Sequence, residues 1–286
     1  MSTPPFLTLP ACARAARLTT ARGEFAVLRA EPAGRVRGTA LLVPGFTGSK
    51  EDFIALLEPL AEAGYRTVAL DQRGQFETGG PADRSAYALP EMGRDLAAVT
   101  GALADGGPLH LLAHSFGGFV AREAVLAAAG PLPWSSLTLL STGPGPICAA
   151  EAARTKMLMD ALEGLDLETI WQIMQQMEGE DASRHEPEIA EFLHRRWVAN
   201  VPESLLGFGE RLLGEPDRTA ELAAVALPKL YVSGEQDYAW PVEEQEATAG
   251  RLDAAYHRVA GAGHSPNAER PAETAALLTD FWGTIA

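Results

Sequence analysis

The sequence has few cysteines and few basic side chains, and both shortages limit what the protein can be. Its 286 residues include two cysteines, Cys12 and Cys148, which stand far apart and outside any metal-like spacing. We therefore expect neither a disulfide framework nor a metal site, and a reducing cytoplasm is the expected location. The 38 Asp and Glu residues outnumber the 23 Lys and Arg residues, for a net charge of −15. This balance argues against nucleic acid and anionic membranes as partners, since both attract a basic face.

Long hydrophobic runs are also missing. No stretch approaches the roughly 18 uninterrupted apolar residues of a membrane-spanning helix. Residues 1–5 lack the basic and apolar regions of a signal peptide, so we expect a cytoplasmic protein without a membrane segment. The apolar content is nonetheless 47%, and the length suffices for one large α/β core or a core with an inserted subdomain.

Short strand-like segments alternate with longer helical ones along most of the chain. Most strand candidates are continuous apolar runs, which is typical of strands buried on both faces of a parallel sheet. Strands are predicted at 25–29, 39–43, 67–70, 109–113, 137–141, 229–233 and 256–259. Helices are predicted at 51–63, 91–104, 119–129, 243–250 and 272–282. The alternation predicts an α/β fold, with a parallel sheet covered by helices on both sides.

The interval 146–215 breaks this alternation, because it shows helix-like apolar spacing and no convincing strand. Helices are predicted there at 151–162, 167–177, 186–200 and 203–213, and they contain four of the six methionines. Methionine suits an adaptable pocket wall, although such a stripe is more often plain core packing. We interpret 146–215 as a helical cap inserted into a core made of 1–145 and 216–286.

The segment 109–118 carries the strongest functional signal. An apolar strand runs directly into Ser115, which has Ala113 two residues before it and Gly117 two residues after it. A helix is predicted to begin near Phe119. Small residues at these two positions let strand and helix approach closely, so that the serine hydroxyl is pushed clear of the backbone. This arrangement makes Ser115 a candidate nucleophile.

A serine hydroxyl needs a base that removes its proton and a carboxylate that orients the base. His264 is the candidate base, because it lies in a glycine-rich loop directly after the last strand, at the sheet edge where the serine turn is expected. The carboxylate is sought in the loop that follows the strand 229–233. Asp237 is the first choice there and Glu235 the alternative. A turn or helix-capping role for Asp237 is the non-catalytic interpretation.

Backbone N–H groups are expected to hold the oxyanion that forms when a serine attacks a carbonyl. One N–H belongs to Phe116, the residue after the serine. The second is expected from the loop after the strand 39–43, where Gly45 allows a close backbone approach and Phe46 supplies the N–H. The Phe46 ring is also expected to form part of the pocket wall.

These four segments occur in the chain order of the α/β-hydrolase family, and the sequence resembles the capped, cofactor-free branch of that family. The stretch Asp71-Gln72-Arg73-Gly74 resembles the family's Asp-x-Arg-Gly turn, whose role there is structural. The resemblance covers about 20–145 and 216–286. It implies a mostly parallel sheet of the eight-stranded type, with helices on both faces and the cap inserted after the sixth strand.

The sequence departs from the family pattern at two places. Ala113 stands where the serine turn commonly has its first glycine, and Pro44-Gly45 stands where the oxyanion loop commonly has His-Gly. The second change keeps the backbone donor but removes a side chain that helps to arrange the loop.

The resemblance implies a serine hydrolase of the carboxylesterase type (EC 3.1.1), with Ser115, Asp237 and His264 as its catalytic residues and no cofactor or metal. A serine at the turn excludes the dehalogenase and epoxide hydrolase branches, which use aspartate. The expected substrate is a small molecule with an apolar part. Pocket candidates are Phe46, His114, Trp171, Met174 and Trp240.

Several alternatives stay open at this point. The same catalytic residues serve thioesterases, lactonases, amidases and hydrolases of carbon–carbon bonds, and a thioesterase could act within a larger biosynthetic assembly. A ligand-binding protein built on a hydrolase scaffold is the non-enzyme alternative. Cys148 is either a buried apolar thiol or a pocket residue. The oligomeric state is not predicted.

Overall fold

A single eight-stranded sheet organises the part of the chain that the computed structural model describes, residues 2–178 and 185–285. The strands are β1 (Ala13–Thr20), β2 (Gly23–Ala30), β3 (Gly38–Val43), β4 (Tyr65–Leu70), β5 (Leu109–His114), β6 (Ser136–Leu140), β7 (Lys229–Gly234) and β8 (Ala255–Val259). Their order across the sheet is β1-β2-β4-β3-β5-β6-β7-β8. The pairs β1–β2 and β2–β4 are antiparallel, and all the other pairs are parallel.

Helices connect most of the strands. They are α1 (Ile54–Glu62), α2 (Leu89–Leu103), α3 (Phe116–Leu126), α4 (Ala149–Leu162), α5 (Leu167–Glu178), α6 (Pro187–Val198), α7 (Pro202–Gly214), α8 (Thr219–Ala223), α9 (Val242–Arg251), α10 (Pro266–Glu269) and α11 (Pro271–Gly283). Short 3₁₀ turns span Lys50–Phe53 and Arg84–Tyr87.

Two hydrophobic cores lie on opposite faces of the sheet. Along β3, Leu41 and Val43 join one core while Ala40 and Leu42 join the other, as the alternation of side chains in a strand requires. Helices α2, α3 and α9 cover the first core, and α1 and α11 cover the second. The predicted α/β fold, with a mostly parallel eight-stranded sheet and helices on both faces, is confirmed.

The seven predicted strands correspond to β2 through β8, but sequence analysis missed β1. This strand lies at the edge of the sheet, and its exposure alternates along its length. It therefore lacks the continuous apolar run by which the inner strands were recognised. The start of α3 was also misplaced: the helix begins at Phe116, directly after Ser115, and not near Phe119.

The inserted helices, α4 to α7, lie between β6 and β7 within the interval 146–215. Their apolar faces form a cluster of their own around Leu162, Trp197 and Leu205, and the partly buried Phe46 of the loop after β3 packs against it. This packing places the inserted helices beside the loop that follows β3.

A buried histidine in the middle of the sheet, His110 on β5, has a packing role. Its ring stacks on Trp282 of α11 with centroids 5.0 Å apart, and its Nδ1 lies 2.8 Å from Ser136 Oγ on β6. Burial lowers the pKa of His110 from 6.5 to about 4, so the ring is neutral at pH 7. Protonation of this ring therefore favours the unfolded chain, in which the ring is solvated.

We expect His110→Leu to flatten the pH dependence of stability between pH 6.5 and pH 4. The folded pKa lies below the unfolded one, so the contribution of His110 is complete above pH 6.5 and is lost as the pH falls. The loss amounts to about 3 kcal/mol for a pKa that moves from 6.5 to about 4. Urea unfolding at a series of pH values measures the slope. The control is His257→Leu, at an exposed position, and an unchanged slope in His110→Leu would contradict the argument.

Candidate active site

Ser115 lies on a tight turn between β5 and α3. Its φ is 53°, a left-handed value that only a constrained turn imposes on a serine, and its side chain is almost fully enclosed. Close packing explains the small residues around it. A Cβ added at Gly117 would lie 2.7 Å from Pro44 O, and one added at Gly118 would lie 2.5 Å from Thr142 Oγ1. Glycine is therefore required at both positions.

The loops after β7 and β8 bring Asp237 and His264 to the serine. His264 Nε2 lies 2.9 Å from Ser115 Oγ, and His264 Nδ1 lies 2.8 Å from Asp237 Oδ1. The Asp237 carboxylate is buried, whereas the His264 side chain keeps 11% of its surface exposed. Three residues from distant parts of the sequence thus form a continuous chain of hydrogen bonds.

The alternative acid, Glu235, has a structural role in the loops around the site. Its Oε2 accepts a hydrogen bond of 2.8 Å from the Gly261 N–H, so it ties the loop after β7 to the loop after β8. The end of β7 also touches the loop after β8 at Gly234, where an added Cβ would lie 1.8 Å from Gly263 O. Asp237, and not Glu235, is the carboxylate that contacts the His264 ring.

Several donors keep the Asp237 carboxylate ionised despite its burial. Burial by itself raises the pKa of Asp237, but the hydrogen bond and charge of His264 and the N–H groups of Ala239 and Gln245 together lower it below its ordinary value. Ala239 N–H donates to Oδ1 at 2.9 Å, and Gln245 Nε2 donates to Oδ2 at 2.9 Å. Asp237 therefore presents a negative charge to His264 at neutral pH.

The backbone around His264 is held from two sides. The Glu269 carboxylate accepts the N–H groups that flank the histidine, from Gly263 at 2.5 Å and from Ser265 at 2.9 Å. On the other side, His114 Nε2 lies 2.8 Å from the His264 carbonyl oxygen. Because a carbonyl only accepts, Nε2 of His114 carries the proton.

His114 itself is a neutral residue of the site. Burial, followed by the nearby His264 charge, lowers the pKa of His114 to about 3. Its Nδ1 is buried and has no hydrogen-bond partner within residues 2–178 and 185–285. Its ring lines the cavity beside Ser115, where the sequence predicted it.

The predicted oxyanion donors lie on the two segments next to the serine. Phe116 is the first residue of α3, so its N–H has no acceptor within the helix. In the loop after β3, an added Cβ at Gly45 would lie 2.8 Å from Ser115 Cβ, so this backbone directly contacts the serine. The Phe46 N–H donates to no acceptor in the described part of the protein.

A cavity of about 720 Å³ opens over Ser115, between the core and the inserted helices. Residues of α4 form one wall of it, together with the α5 residues Ile170, Ile173, Met174 and Met177. Core residues, including Phe46 and Trp240, form the opposite wall. A volume of this size accommodates a substrate of several hundred daltons, and its lining is predominantly apolar.

One predicted pocket residue is misplaced. Trp171 is not among the described residues that line the cavity. It lies about 100° around α5 from Ile170, because each residue of an α-helix turns by that angle. Its ring instead lies 5.4 Å from the His194 ring on α6. Cys148 is also absent from the described lining, and its Sγ donates to Tyr238 O at 3.2 Å.

Charged groups beside the cavity are neutralised in pairs. Arg154 Nη1 lies 2.5 Å from Glu151 Oε1 on α4, and both residues line the cavity. Deeper in, Asp52 lies 2.7 Å from Arg196 Nη1 of α6, and both side chains are fully buried. Burial raises the pKa of Asp52 to about 6, against the opposing charge of Arg196. Among the described lining residues, Arg154 is the one Arg or Lys.

Comparison with known proteins places the chain in a family. A family model described as the alpha/beta hydrolase family matches residues 40–277. The chain belongs to the alpha/beta hydrolase family. Membership supports the prediction of a hydrolase, and the resemblance to the α/β-hydrolase family is confirmed.

Relatives of this alpha/beta hydrolase span almost its whole length. It is 28% identical over 269 residues to a putative carbamate hydrolase, RutD, of Variovorax paradoxus, covering 91% of this chain and 97% of that protein. A hydrolase from Pseudomonas aeruginosa superimposes with a TM-score of 0.76 at 22% identity, covering 94% and 98% of the two chains. A thermophilic esterase from Thermogutta terrifontis gives 0.73 at 24% identity, covering 95% and 98%. These two structures establish the shared fold.

Two further absences concern metals and membranes. Among the described residues of this alpha/beta hydrolase, no group of three or more His, Cys, Asp or Glu side chains is arranged to hold a metal ion. Within the same residues, no helix is long and apolar enough to cross a membrane.

Sequence analysis missed the residues that hydrogen-bond to the site residues of this alpha/beta hydrolase or to the backbone beside them. Gln245 contacts Asp237, Glu269 holds the backbone on either side of His264, and Gln72 and Gln75 contact the loop after β3. Only the Asp-x-Arg-Gly resemblance drew attention to the segment that carries the last two. The others give no local signal, because a single Gln or Glu in a loop or helix has many equally plausible roles.

Proposed function

We propose that this protein is a serine hydrolase that cleaves a carboxylic ester through an acyl-enzyme on Ser115. The hydrogen-bonded chain Ser115–His264–Asp237 is the observation that carries the proposal. His264 Nε2 takes the proton from Ser115 Oγ as the oxygen attacks the ester carbonyl. The same proton then passes to the leaving alcohol as the carbon–oxygen bond breaks. Asp237 holds the imidazole in the required tautomer and stabilises its charged form.

The second half of the reaction uses the same groups. His264 accepts a proton from a water molecule whose oxygen attacks the acyl carbon, and then returns the proton to Ser115 Oγ as the acid leaves. In both halves the carbonyl oxygen becomes negatively charged. The N–H groups of Phe46 and Phe116 are the donors proposed to stabilise it, since neither donates to an acceptor among residues 2–178 and 185–285.

The inserted helices are proposed to act as a cap over this site. In this proposal the core comprises 1–145 and 216–286, and the cap comprises 146–215. The cavity supports it, because α4 and α5 contribute one wall and the loops around Ser115 and His264 contribute the other. The proposed pocket residues are Phe46, His114, Met174 and Trp240. Trp171 is not among them, because it does not line the cavity.

The lining favours a neutral, largely apolar substrate. A negatively charged substrate group would compete with Glu151 for Arg154, which is the one Arg or Lys found among the described lining residues. An esterase and a putative carbamate hydrolase are among the proteins to which the chain is similar. We therefore propose a small ester with an apolar part, acted on in the cytoplasm without a cofactor.

Hydrolysis of p-nitrophenyl esters from acetate to laurate tests the proposed function. Steady turnover with a preference for longer acyl groups is the expected result. Thioesters, lactones and β-diketones are assayed alongside, since the same three residues serve those reactions. Turnover of only one of these three substrate classes would assign the activity to that class of bond. Binding of esters without turnover of any substrate would favour a ligand-binding protein and overturn the proposal.

We expect Met174→Trp to shift the preferred acyl chain to a shorter one. Met174 lies in the α5 wall of the cavity, and a larger ring there removes space that a long chain would occupy. The ratio of kcat/KM for laurate to that for acetate measures the effect and is expected to fall. Gln172→Trp is the matched control, because Gln172 is exposed and hydrogen-bonds to Glu168 on another face of α5. An equal laurate-to-acetate ratio in both variants would show that the acyl chain does not contact Met174.

A further inference from the structure

The loop after β3 is held partly by its own Gly48 N–H, which donates to Gly45 O at 3.2 Å, and partly by residues outside the loop. Pro44 has no side-chain donor with which to arrange the loop, yet Gly45 lies directly against Ser115. Any shift of this backbone would move the Phe46 N–H relative to the serine. The groups that fix the two carbonyls of the loop therefore decide where its N–H groups point.

Two buried glutamines from the turn after β4 hold these carbonyls. Gln72 Nε2 donates to Pro44 O at 2.9 Å, and Gln75 Nε2 donates to Gly45 O at 2.8 Å. Gln75 Oε1 also accepts the Gln72 N–H at 3.3 Å, which fixes the Gln75 amide with its NH₂ group toward the loop. Both side chains are enclosed, Gln72 with 2% and Gln75 with 0% of its surface exposed.

Peptide geometry converts each carbonyl contact into an orientation of an N–H. In a planar trans peptide the C=O and the N–H point in opposite directions, so fixing one fixes the other. The carbonyl of Gly45 shares its peptide with the N–H of Phe46. The carbonyl of Pro44 shares its peptide with the N–H of Gly45. Gln75 thus orients the Phe46 N–H, and Gln72 orients the Gly45 N–H.

We infer that Gln75 is a positioning residue that aims the Phe46 N–H at the oxyanion formed on Ser115. This inference rests on the proposed function. Gln75 is not among the described residues that line the cavity, and it acts through its hydrogen bond to the Gly45 carbonyl, which lies on the opposite side of the peptide from the Phe46 N–H. Gln75 is therefore expected to stabilise the transition state, in which the oxyanion is charged, and to have little effect on binding of the uncharged ester.

Gln75→Met tests the inference, with Gln72→Met as the matched control from the same turn. Gln75→Met is expected to lower kcat by up to about 10²-fold, the scale of losing one oxyanion donor, with little change in KM. A boronic acid that forms a tetrahedral adduct with the serine is expected to lose affinity in parallel. Gln72→Met is expected to change both quantities much less, since its partner carbonyl orients a different N–H.

A second variant keeps the test decisive where Gln75→Met folds poorly. Glu is nearly the same shape as Gln, and its protonated carboxyl donates to Gly45 O whereas its ionised form does not. The activity of Gln75→Glu relative to wild type is therefore expected to rise as the pH falls. A purely structural role would lower the thermal stability of Gln75→Glu as the pH rises but leave the kcat ratio of the folded proteins independent of pH.

The outcomes separate failure of the inference from failure of the proposed function. Wild type that turns over esters through Ser115, with unchanged kcat and boronate affinity in Gln75→Met, overturns the inference alone. Equal losses in Gln75→Met and Gln72→Met also overturn it, because they show general loosening of the loop. Wild type without Ser115-dependent turnover overturns the proposed function first.

Discussion

Ser115→Ala is expected to lower kcat for ester hydrolysis by about 10⁴-fold or more, because the nucleophile, base and acid act as a unit. The substitution removes the only protein atom that bonds to the acyl carbon in the proposed reaction. It leaves the cavity almost unchanged, since it deletes one oxygen. KM is expected to stay within a few-fold of wild type where binding is faster than chemistry. Initial rates with purified protein measure both constants.

Ser141→Ala is the matched control for this prediction. Ser141 is also a buried serine with a positive φ, 47°, at the end of a neighbouring strand. Its hydroxyl has no hydrogen-bond partner among the described residues. We expect it to retain most of the wild-type activity. Substantial turnover of esters by Ser115→Ala would contradict the acyl-enzyme mechanism.

Asp237→Asn is expected to lower kcat by a comparable factor, about 10⁴-fold. The amide of asparagine can donate to His264 Nδ1, which stabilises the tautomer with its proton on Nε2. That tautomer cannot accept the proton of Ser115. Glu235→Gln is expected to have a far smaller effect on kcat, because Glu235 contacts the backbone of Gly261 and not the His264 ring. Parallel kinetics of the two variants, at a pH where wild type is fully active, make the comparison.

The pair of variants decides which carboxylate orients the histidine. A severe loss in Glu235→Gln with near-normal kcat in Asp237→Asn would reverse the assignment. Thermal unfolding of both proteins checks that the loops after β7 and β8 remain folded. Loss of activity together with loss of folding in Asp237→Asn would be resolved with Asp237→Glu, which keeps the charge and partly restores the rate.

Particular residues show where sequence reasoning succeeds and where it stops. Buried strands such as β3 and β5 are recognisable because parallel strands covered on both faces must be apolar throughout. The same rule missed β1, whose edge position removes the requirement. Small residues around Ser115 are readable because the close packing at Gly117 and Gly118 leaves no room for a side chain. In both cases a local constraint leaves a local pattern.

Contacts between distant segments leave no such pattern. The choice between Asp237 and Glu235 depends on which carboxylate reaches the His264 ring, and both lie in the same loop. Trp171 was assigned to the pocket on its chemical type, whereas its direction depends on how α5 is rotated against α6. Gln75 lies thirty residues from the carbonyl that it holds. Such roles emerge only when the fold sets the geometry.

Labelling with a fluorophosphonate tests the central claim, a nucleophilic Ser115, most directly. The reagent forms a stable bond to an activated serine, and mass spectrometry of the digested protein locates it. We predict one adduct per chain, on Ser115, formed at the same rate at which ester hydrolysis is lost, and no adduct in His264→Ala on that timescale. Full esterase activity in protein labelled at Ser115, or an adduct on another residue that tracks the loss of activity, would contradict the account.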